Sequence, residues 1–243
     1  MNNDLTILPV VPEENEMEPN TELHPNLPDI YKAQLICCVG PVRSGKGVLW
    51  NTLIHNPNFY ENLFSNVTVI SPTIFNDSTS RFTLAKYKDT CFDAYDNKII
   101  DDLIQNQKNK KKIDGTDSSY CLIIDDCYGE FDSRSSKNGS VIRLASRFRH
   151  YVNKGDACLY LYNSQKYLDC ATILRANMTG FFVSGMIRNK KELEAIKYDI
   201  DDLYTGHFDE IMARAQGAPY QWIYFRLAST PPQAFLNFTE QIY

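Results

Sequence analysis

A chain of 243 residues with 43% apolar and 12% aromatic side chains can bury the core of one globular domain. It contains no run of about 18 apolar residues and does not open with the charged-then-apolar pattern of a secretory signal, which argues against an integral membrane protein or a secreted one. Seven cysteines, without CxxC spacing or a nearby His pair, predict reduced thiols rather than a zinc site. We expect a soluble intracellular protein.

The formal net charge of −5 is unevenly distributed along the chain. Residues 1–31 hold seven acidic residues and no Lys or Arg, so the remainder carries 25 basic against 23 acidic residues. Five prolines share the acidic segment, and such a composition cannot bury enough apolar surface to offset the entropy of ordering. We predict a flexible acidic, proline-rich arm over residues 1–30 and one domain over residues 31–243.

From Ala33 onward, short apolar runs alternate with helix-like segments, a pattern typical of a parallel sheet covered by helices on both faces. The runs have strand length and are rich in residues that suit buried strands. They cover residues 33–39, 66–70, 120–125, 157–163 and 180–185. Helices are predicted over 46–56, 99–107, 140–152, 189–200 and 207–217, and a strand, a turn and a last edge strand over 220–238.

A glycine-rich loop follows the first predicted strand and opens the first predicted helix. Backbone N–H groups at a helix start can hold a triphosphate if glycines stand where side chains would collide with its oxygens. The spacing Gly40-x-x-x-x-Gly45-Lys46 meets this demand and brings the lysine ammonium to the β and γ phosphates. The predicted nucleotide-binding residues are Gly40, Pro41, Val42, Arg43, Ser44, Gly45, Lys46, Gly47 and Val48.

Gly47 departs from this pattern. A phosphate-binding loop has Ser or Thr at that position, and its hydroxyl is a direct Mg²⁺ ligand. Glycine offers no such group, so a water or a neighbouring carboxylate must complete the octahedral shell. We expect weaker metal binding, and we expect Gly47→Ser to leave ATPase activity equal or higher.

Two further strand ends carry polar side chains suited to nucleotide hydrolysis. The third run delivers Asp125 and Asp126 to the carboxyl end of a strand, where Asp125 would hold Mg²⁺ and Asp126 would orient or deprotonate the attacking water. The fourth run ends near Gln165, which reaches the γ-phosphate if that strand lies between the first and third. Each motif alone also fits a loop cap or a turn.

Basic residues complete the candidate set. Arg149 is favoured as an arginine that crosses a subunit interface to a neighbour's γ-phosphate, with Arg175 as the second choice, whereas most arginines in this region are expected to form surface ion pairs. Residues 106–119 read as a solvated loop or as a basic loop that contacts nucleic acid. Its charge is concentrated in Lys108, Lys110, Lys111 and Lys112.

The segments GPVRSGKG, CLIIDD, RH, NSQ and ILRAN, in that order before a terminal FLNFTEQIY, resemble the DNA-packaging ATPases of large double-stranded DNA viruses and virophages. This is the poxvirus-type branch of the FtsK/HerA superfamily, and the resemblance covers about residues 33–243. It implies an additional-strand P-loop NTPase fold of the RecA-like type. It also implies that Lys46 binds phosphate, Asp125 holds Mg²⁺, Asp126 is the catalytic acid and Gln165 is the sensor.

The resemblance further implies an ATP-driven translocase that packages double-stranded DNA into preformed capsids. Such a protein acts as a homo-oligomeric ring of about five or six subunits, works with Mg²⁺, and contacts the capsid or its portal or membrane component. It would be found in the virion or in the host-cell cytoplasm, at the viral factory. The four lysines would face the pore, and the acidic arm would dock on a basic capsid surface, occupy the empty DNA channel, or be inert.

Two other function classes remain open on the sequence. An assembly or scaffold protein would bind ATP and turn it over negligibly because Gly47 lacks the hydroxyl. Asp126 and Gln165 argue against it, since a scaffold does not need them. A small nucleotide kinase is disfavoured because no lid with clustered arginines follows the fourth predicted strand as expected.

Overall fold

A computed structural model describes residues 23–113, 115–127 and 139–243 of the chain. Within them, nine strands form one sheet. The strands are β1 (Gln34–Val39), β2 (Val67–Ile70), β3 (Cys91–Phe92), β4 (Tyr120–Asp125), β5 (Cys158–Ser164), β6 (Gly180–Ser184), β7 (Trp222–Arg226), β8 (Gln233–Leu236) and β9 (Glu240–Gln241).

The strands lie in the order β3-β2-β4-β5-β1-β6-β7-β8-β9. The six strands from β3 to β6 in this order are parallel, and β7, β8 and β9 continue the sheet antiparallel. Because β5 lies between β1 and β4, the carboxyl ends of these three strands are neighbours. The condition that sequence analysis set for Gln165 is therefore met.

Helices cover both faces of the sheet. They are α1 (Lys46–His55), α2 (Arg81–Tyr87), α3 (Asn97–Lys110), α4 (Ser140–Arg147), α5 (Thr172–Asn177), α6 (Lys190–Ile200) and α7 (Phe208–Gln216). Alternate residues of β1 enter two separate cores, with Leu35 and Cys37 on one face and Ile36 and Cys38 on the other. Helix α1 packs in the second core, and α3, α4, α6 and α7 pack in the first.

The predicted α/β class with a mostly parallel sheet flanked by helices is confirmed, and the five predicted parallel strands are present. Sequence reasoning missed β3, β9, α2 and α5. These elements have two to seven residues. Segments this short carry too little periodicity to be recognised and are stabilised by packing rather than by propensity.

Two predicted boundaries need correction. Helix α3 continues through Lys110, so two of the lysines assigned to a loop over residues 106–119 lie in its last turn. The helix predicted over 140–152 ends at Arg147 and continues as a 3₁₀ helix over Phe148–Tyr151. In α3, polar residues continue the helix beyond its last apolar residue, whereas after α4 the buried Phe148 and Tyr151 continue the apolar face in the tighter 3₁₀ geometry.

Residues 23–30, which composition assigns to the arm, pack against the domain. Leu27 and Ile30 are buried in the core that contains α1. The Arg226 guanidinium donates to the carbonyl of Leu27 over 3.0 Å, and the Tyr60 hydroxyl donates to that of Pro28 over 2.7 Å. The average composition of residues 1–30 does not reveal single apolar residues that are buried against the domain. The rest of the predicted arm, residues 1–22, lies outside the described residues.

All seven cysteines are buried and none forms a disulfide. Over the described ranges, no helix is long and apolar enough to cross a membrane.

Candidate nucleotide-binding site

The loop between β1 and α1 has the backbone that a phosphate-binding loop requires. Gly45 precedes α1 with a φ of 89°, and Arg43 has a φ of 62°, both in the left-handed region. A Cβ on Gly40 would lie 2.5 Å from Ser44 Oγ and 2.9 Å from atoms of Ser184 and Trp222. Glycine is therefore required at position 40 because neighbouring side chains fill the space above it.

The predicted nucleotide-binding residues 40–48 all lie on this loop or on the first turn of α1. Val42 is 63% exposed at the tip, whereas Ser44 is buried. No described residue forms a hydrogen bond with Ser44 Oγ. An uncompensated buried hydroxyl is costly, and inside such a loop an added oxygen acceptor would satisfy it.

Lys46, Asp126 and Gln165 meet at one carboxylate oxygen. Lys46 Nζ lies 3.6 Å from Asp126 Oδ2, and Gln165 Nε2 donates to the same oxygen over 3.3 Å. Lys46 Nζ also donates to the carbonyls of Gly40 (2.9 Å) and Pro41 (3.3 Å). Three of the five predicted catalytic side chains, distant in sequence, therefore share one site.

The sheet register explains this meeting. Val39 pairs with Ser164, and Asp125 pairs with Asn163. Gly40 follows Val39, Gln165 follows Ser164 and Asp126 follows Asp125. These residues therefore lie side by side at the carboxyl edge of the sheet. Hydrogen bonds tie the edge together, since Gly40 N donates to the Ser164 carbonyl over 3.2 Å and Asp126 N donates to that of Asn163 over 3.3 Å.

Asp126 adopts a left-handed conformation, with a φ of 52°. Asp tolerates this region better than most residues, and the conformation ends β4 at that point. The side chain is 33% exposed, yet its Oδ1 atom is buried and has no hydrogen-bond partner in the described ranges. One oxygen thus pairs with Lys46 and Gln165, while the other is left for a further donor or a cation.

Asp125 is buried beside Asp126. It accepts hydrogen bonds from Asn163 Nδ2 (3.0 Å) and Ser71 Oγ (3.3 Å). Burial, followed by the charge of Asp126, raises the pKa of the Asp125 carboxyl to about 6, although the Asn163 and Ser71 hydrogen bonds and the charge of Lys46 oppose the shift. Asn163 Oδ1 is itself buried and unpartnered among these residues. Two carboxylates and an unused amide oxygen therefore lie close together.

This donor set fits Mg²⁺, which prefers oxygen ligands and keeps one or two protein carboxylates, waters and substrate phosphates in its shell. A cage of three or more His, Cys, Asp or Glu side chains does not occur in the part of the chain described. Asp125 would be the protein carboxylate of a metal bound jointly with a nucleotide, and Asp126 lies beside it.

The nominated arginines lie elsewhere. Arg175 Nη1 pairs with Asp199 Oδ2 at 2.7 Å, and its guanidinium lies 5.0 Å from the Tyr167 ring centroid. Arg149 is exposed on the 3₁₀ helix after α4. The adjacent Phe148 carbonyl accepts from the hydroxyl of Tyr120, which begins β4. Arg149 therefore lies towards the amino edge of the sheet, opposite Lys46.

The four nominated lysines also lie at the amino edge. Lys110 Nζ donates to Ser65 Oγ over 3.0 Å, and Lys111 Nζ donates to the His150 carbonyl over 2.9 Å. Ser65 precedes β2 and His150 precedes β5. Lys108 lies over the Tyr151 ring at 5.9 Å, and Lys112 follows the helix end.

Tyr220 lies beside the phosphate-binding loop and was not recognised from the sequence. It is 61% exposed, has a φ of 60° and precedes β7. Its Cδ1 atom lies 3.6 Å from where a Cβ would be on Gly45. An exposed aromatic ring thus borders the phosphate-binding loop. The only sequence signal was an aromatic residue before a strand, which is too common to be informative.

A cavity at the opposite, amino edge is separate from this site. It is lined by side chains including those of His24, Asp29 and Arg226, near the first residues of β1 and β6. Because Lys46, Asp126 and Gln165 lie at the carboxyl edge, the chemistry described above does not involve this cavity.

No protein-family model and no curated protein matches this sequence. Solved structures match it by fold. The genome packaging NTPase B204 from Sulfolobus turreted icosahedral virus 2, in complex with AMP, aligns over 84% of this chain and 96% of its own at 16% identity, with a TM-score of 0.59. The same protein with ATP-γS gives a TM-score of 0.55 at 16% identity over the same shares of both chains.

B204, the DNA-packaging ATPase from Sulfolobus Turreted Icosahedral Virus, aligns at 18% identity with a TM-score of 0.58, again over 84% and 96% of the two chains. The chain has the fold of these genome-packaging proteins. The predicted fold class is confirmed by this match together with the strand order.

Proposed function

We propose that this chain is an ATPase that packages viral double-stranded DNA into preformed capsids. The observation that carries the proposal is the meeting of Lys46, Gln165 and Asp126 Oδ2 beside the loop, in a chain with the fold of genome-packaging NTPases. A lysine, a carboxylate and an amide at adjoining strand ends are the groups that phosphoryl transfer to water needs.

The loop and Lys46 would hold the phosphates. The Lys46 ammonium is bonded to two loop carbonyls and is almost fully buried, so its position is fixed before nucleotide arrives. Phosphate oxygens would replace these carbonyls as acceptors. Little reorganisation is then needed, and a charge placed in advance where negative charge develops is the most effective kind of electrostatic catalysis.

Mg²⁺ would be held by Asp125, with Asn163 and Ser71 fixing the orientation of the carboxylate. When bound, it supplies positive charge to the phosphates. A divalent cation would also favour the ionised form of Asp125, whose pKa burial has raised to about 6.

Asp126 and Gln165 would position the attacking water. The hydrogen bond from Gln165 fixes one oxygen of the Asp126 carboxylate, and its other oxygen has no described partner. The Asp126 carboxylate would accept the proton of the water. Tyr220 would stack on the base, because its exposed ring adjoins the end of the loop.

The proposal also includes the coupling of ATP hydrolysis to the movement of duplex DNA. A homo-oligomeric ring of about five or six subunits would place Arg149, or else Arg175, against a neighbour's γ-phosphate. Lys108, Lys110, Lys111 and Lys112 would track the backbone of duplex DNA in the pore, since a few cations per subunit suffice when repeated around a ring. The capsid, or its portal or membrane component, would be the docking partner, in the virion or the host-cell cytoplasm.

One observation favours a second candidate, an assembly or scaffold protein that binds ATP without hydrolysing it. Gly47 removes a hydroxyl that ordinarily binds Mg²⁺. If no other group replaces it, nucleotide would bind and turnover would be negligible.

An ATPase assay with and without duplex DNA, on wild type and Asp126→Asn, separates the two candidates. The enzyme is expected to show DNA-stimulated hydrolysis that falls at least about 100-fold in the variant, while the mass of the ATP-bound assembly stays the same. Asp102→Asn, which alters an exposed carboxylate on α3, is the matched control. Nucleotide binding without hydrolysis in wild type would favour the scaffold.

A further inference from the structure

Another part of the chain fills the space beside Gly47. A Cβ added to Gly47 would lie 3.3 Å from Thr79 Oγ1 and 3.6 Å from Asp77 Oδ2. Both oxygens belong to the segment over residues 71–80 that joins β2 to α2, here called the β2–α2 loop. An oxygen-bearing side chain thus lies next to the position that lacks its own hydroxyl.

Thr79 and Asp77 hold each other in place. Thr79 N donates to Asp77 Oδ1 over 2.9 Å, and Thr79 Oγ1 donates to Asp77 Oδ2 over 2.6 Å. With its proton directed to the carboxylate, the Thr79 hydroxyl keeps its lone pairs for another partner. Its basicity increases, as it does for metal ligands that donate to an outer carboxylate.

The same loop also contacts the predicted metal carboxylate. It begins at Ser71, which is buried and donates to Asp125 Oδ2 over 3.3 Å. One continuous segment therefore adjoins both Asp125 and Gly47. These are the two positions at which a P-loop ATPase binds its magnesium ion.

Helix α2 fixes the loop on the same side of α1. Asn51 Nδ2 donates to the Gly47 carbonyl over 2.9 Å, and Thr83 Oγ1 donates to Asn51 Oδ1 over 2.7 Å. Thr83 follows Thr79 by one helical turn. These two hydrogen bonds join α1 to α2, which begins directly after the loop, and so they hold Thr79 close to Gly47.

We propose that Thr79 supplies the hydroxyl that Gly47 lacks, oriented by Asp77, so that the β2–α2 loop completes the site for Mg²⁺ and nucleotide. This inference rests on the proposed function, and it removes the reason for expecting a catalytically silent scaffold. It also fits the glycine at position 47, since a Cβ there would crowd Thr79 Oγ1 at 3.3 Å. Of the two outcomes expected from sequence, equal or higher ATPase activity, Gly47→Ser alone should then give equal activity.

The test measures the Mg²⁺ concentration at half-maximal ATP-γS binding, by titration calorimetry on the full chain. Thr79→Val removes the hydroxyl and keeps the side-chain shape and the backbone hydrogen bond to Asp77. It is expected to raise that concentration about tenfold or more, with ATP-γS affinity in EDTA unchanged. Thr79→Ser should behave as wild type. Thr79→Ala frees the space beside position 47, so adding Gly47→Ser to Thr79→Ala should restore most of the loss.

Thr239→Val is the matched control, because Thr239 is exposed and its hydroxyl donates only to the nearby Leu236 carbonyl. Thermal unfolding of each variant detects loss of structure, and Thr79→Ala provides a second hydroxyl deletion if valine destabilises the loop. If ATP-γS binding by Thr79→Val and Thr79→Ala showed the same Mg²⁺ dependence as wild type, this inference alone would be overturned. It would also be overturned if the two variants weakened ATP-γS binding equally with and without Mg²⁺. Failure of wild type to bind ATP-γS at all would overturn the proposed function as well.

Discussion

Gln165 Nε2 donates to Asp126 Oδ2 over 3.3 Å, joining the ends of β5 and β4 at the point where Lys46 arrives from α1. This hydrogen bond ties the orientation of the predicted catalytic carboxylate to the strand that lies between β1 and β4.

Gln165→Ala is expected to lower the rate of ATP hydrolysis by about 10- to 100-fold, because Asp126 loses the donor that orients it. ATP-γS affinity should stay within about threefold of wild type, since Lys46 and the loop bind the phosphates. Steady-state kinetics and a binding titration measure the two effects. Gln216→Ala, at the exposed end of α7, is the control. Parallel loss of binding and rate would argue against a positioning role.

Gly40→Ala is expected to destabilise the protein by about 1–3 kcal/mol and to abolish nucleotide binding. The added Cβ would lie 2.5 Å from Ser44 Oγ and 2.9 Å from atoms of β6 and β7, so the loop must move. Gly217→Ala is the matched control, because nothing lies within 4 Å of its Cβ position and its φ is −75°. Denaturant unfolding of both variants measures the difference. Equal stability of the two variants would contradict the packing described at Gly40.

Tyr220→Ala is expected to weaken ATP-γS binding about fivefold to tenfold, because the base loses an aromatic surface. Tyr220→Phe should retain wild-type affinity. Binding of inorganic tripolyphosphate, which has no base, should be the same in all three proteins. If Tyr220→Ala weakened tripolyphosphate and ATP-γS equally, Tyr220 would act on the loop rather than on the base.

The lowered pKa of His55 predicts that the protein loses stability in mild acid. Burial and the nearby Lys86 charge lower its pKa from 6.5 to about 4, and its ring nitrogen bonds the Thr83 hydroxyl at 2.8 Å. Below pH 6.5 the unfolded chain takes up a proton that the folded chain does not. The free energy of unfolding should therefore fall by about 2 kcal/mol between pH 7 and pH 5 on account of this group.

Urea unfolding of wild type and His55→Gln at these two pH values isolates that contribution. Glutamine can donate to Thr83 but does not titrate. The pH-dependent loss should be smaller in the variant by about the stated amount. Identical pH dependence in the two proteins would show that His55 titrates normally when folded.

Much of the fold follows from short-range pattern. Residues of β4 and β5 are buried on both faces of the sheet, so their sequences are continuous apolar runs that a strand assignment recognises. Gly40, Gly45 and Lys46 can be recognised from the sequence because such a loop binds phosphate through its own backbone N–H groups, which fixes the spacing of the glycines and the lysine. Asp126 and Gln165 could be connected once parallel strand ends were expected to meet.

The rest depends on contacts between distant segments. Thr79 lies near Gly47 only because β2 pairs with β4, and Tyr220 borders the loop only because β7 pairs with β6. Neither residue has a local signature. Leu27 and Ile30 are buried through contacts with the domain, which the composition of an acidic segment does not reveal.

A crystal structure with ATP-γS and Mg²⁺ tests the central claim most directly. We expect the phosphates to be bound by the loop over residues 40–46, with Lys46 Nζ moved from the Gly40 carbonyl to a phosphate oxygen. Asp126 and Gln165 should flank the terminal thiophosphate. Nucleotide bound instead in the cavity beside Arg226, with Lys46 still on its loop carbonyls, would contradict the account.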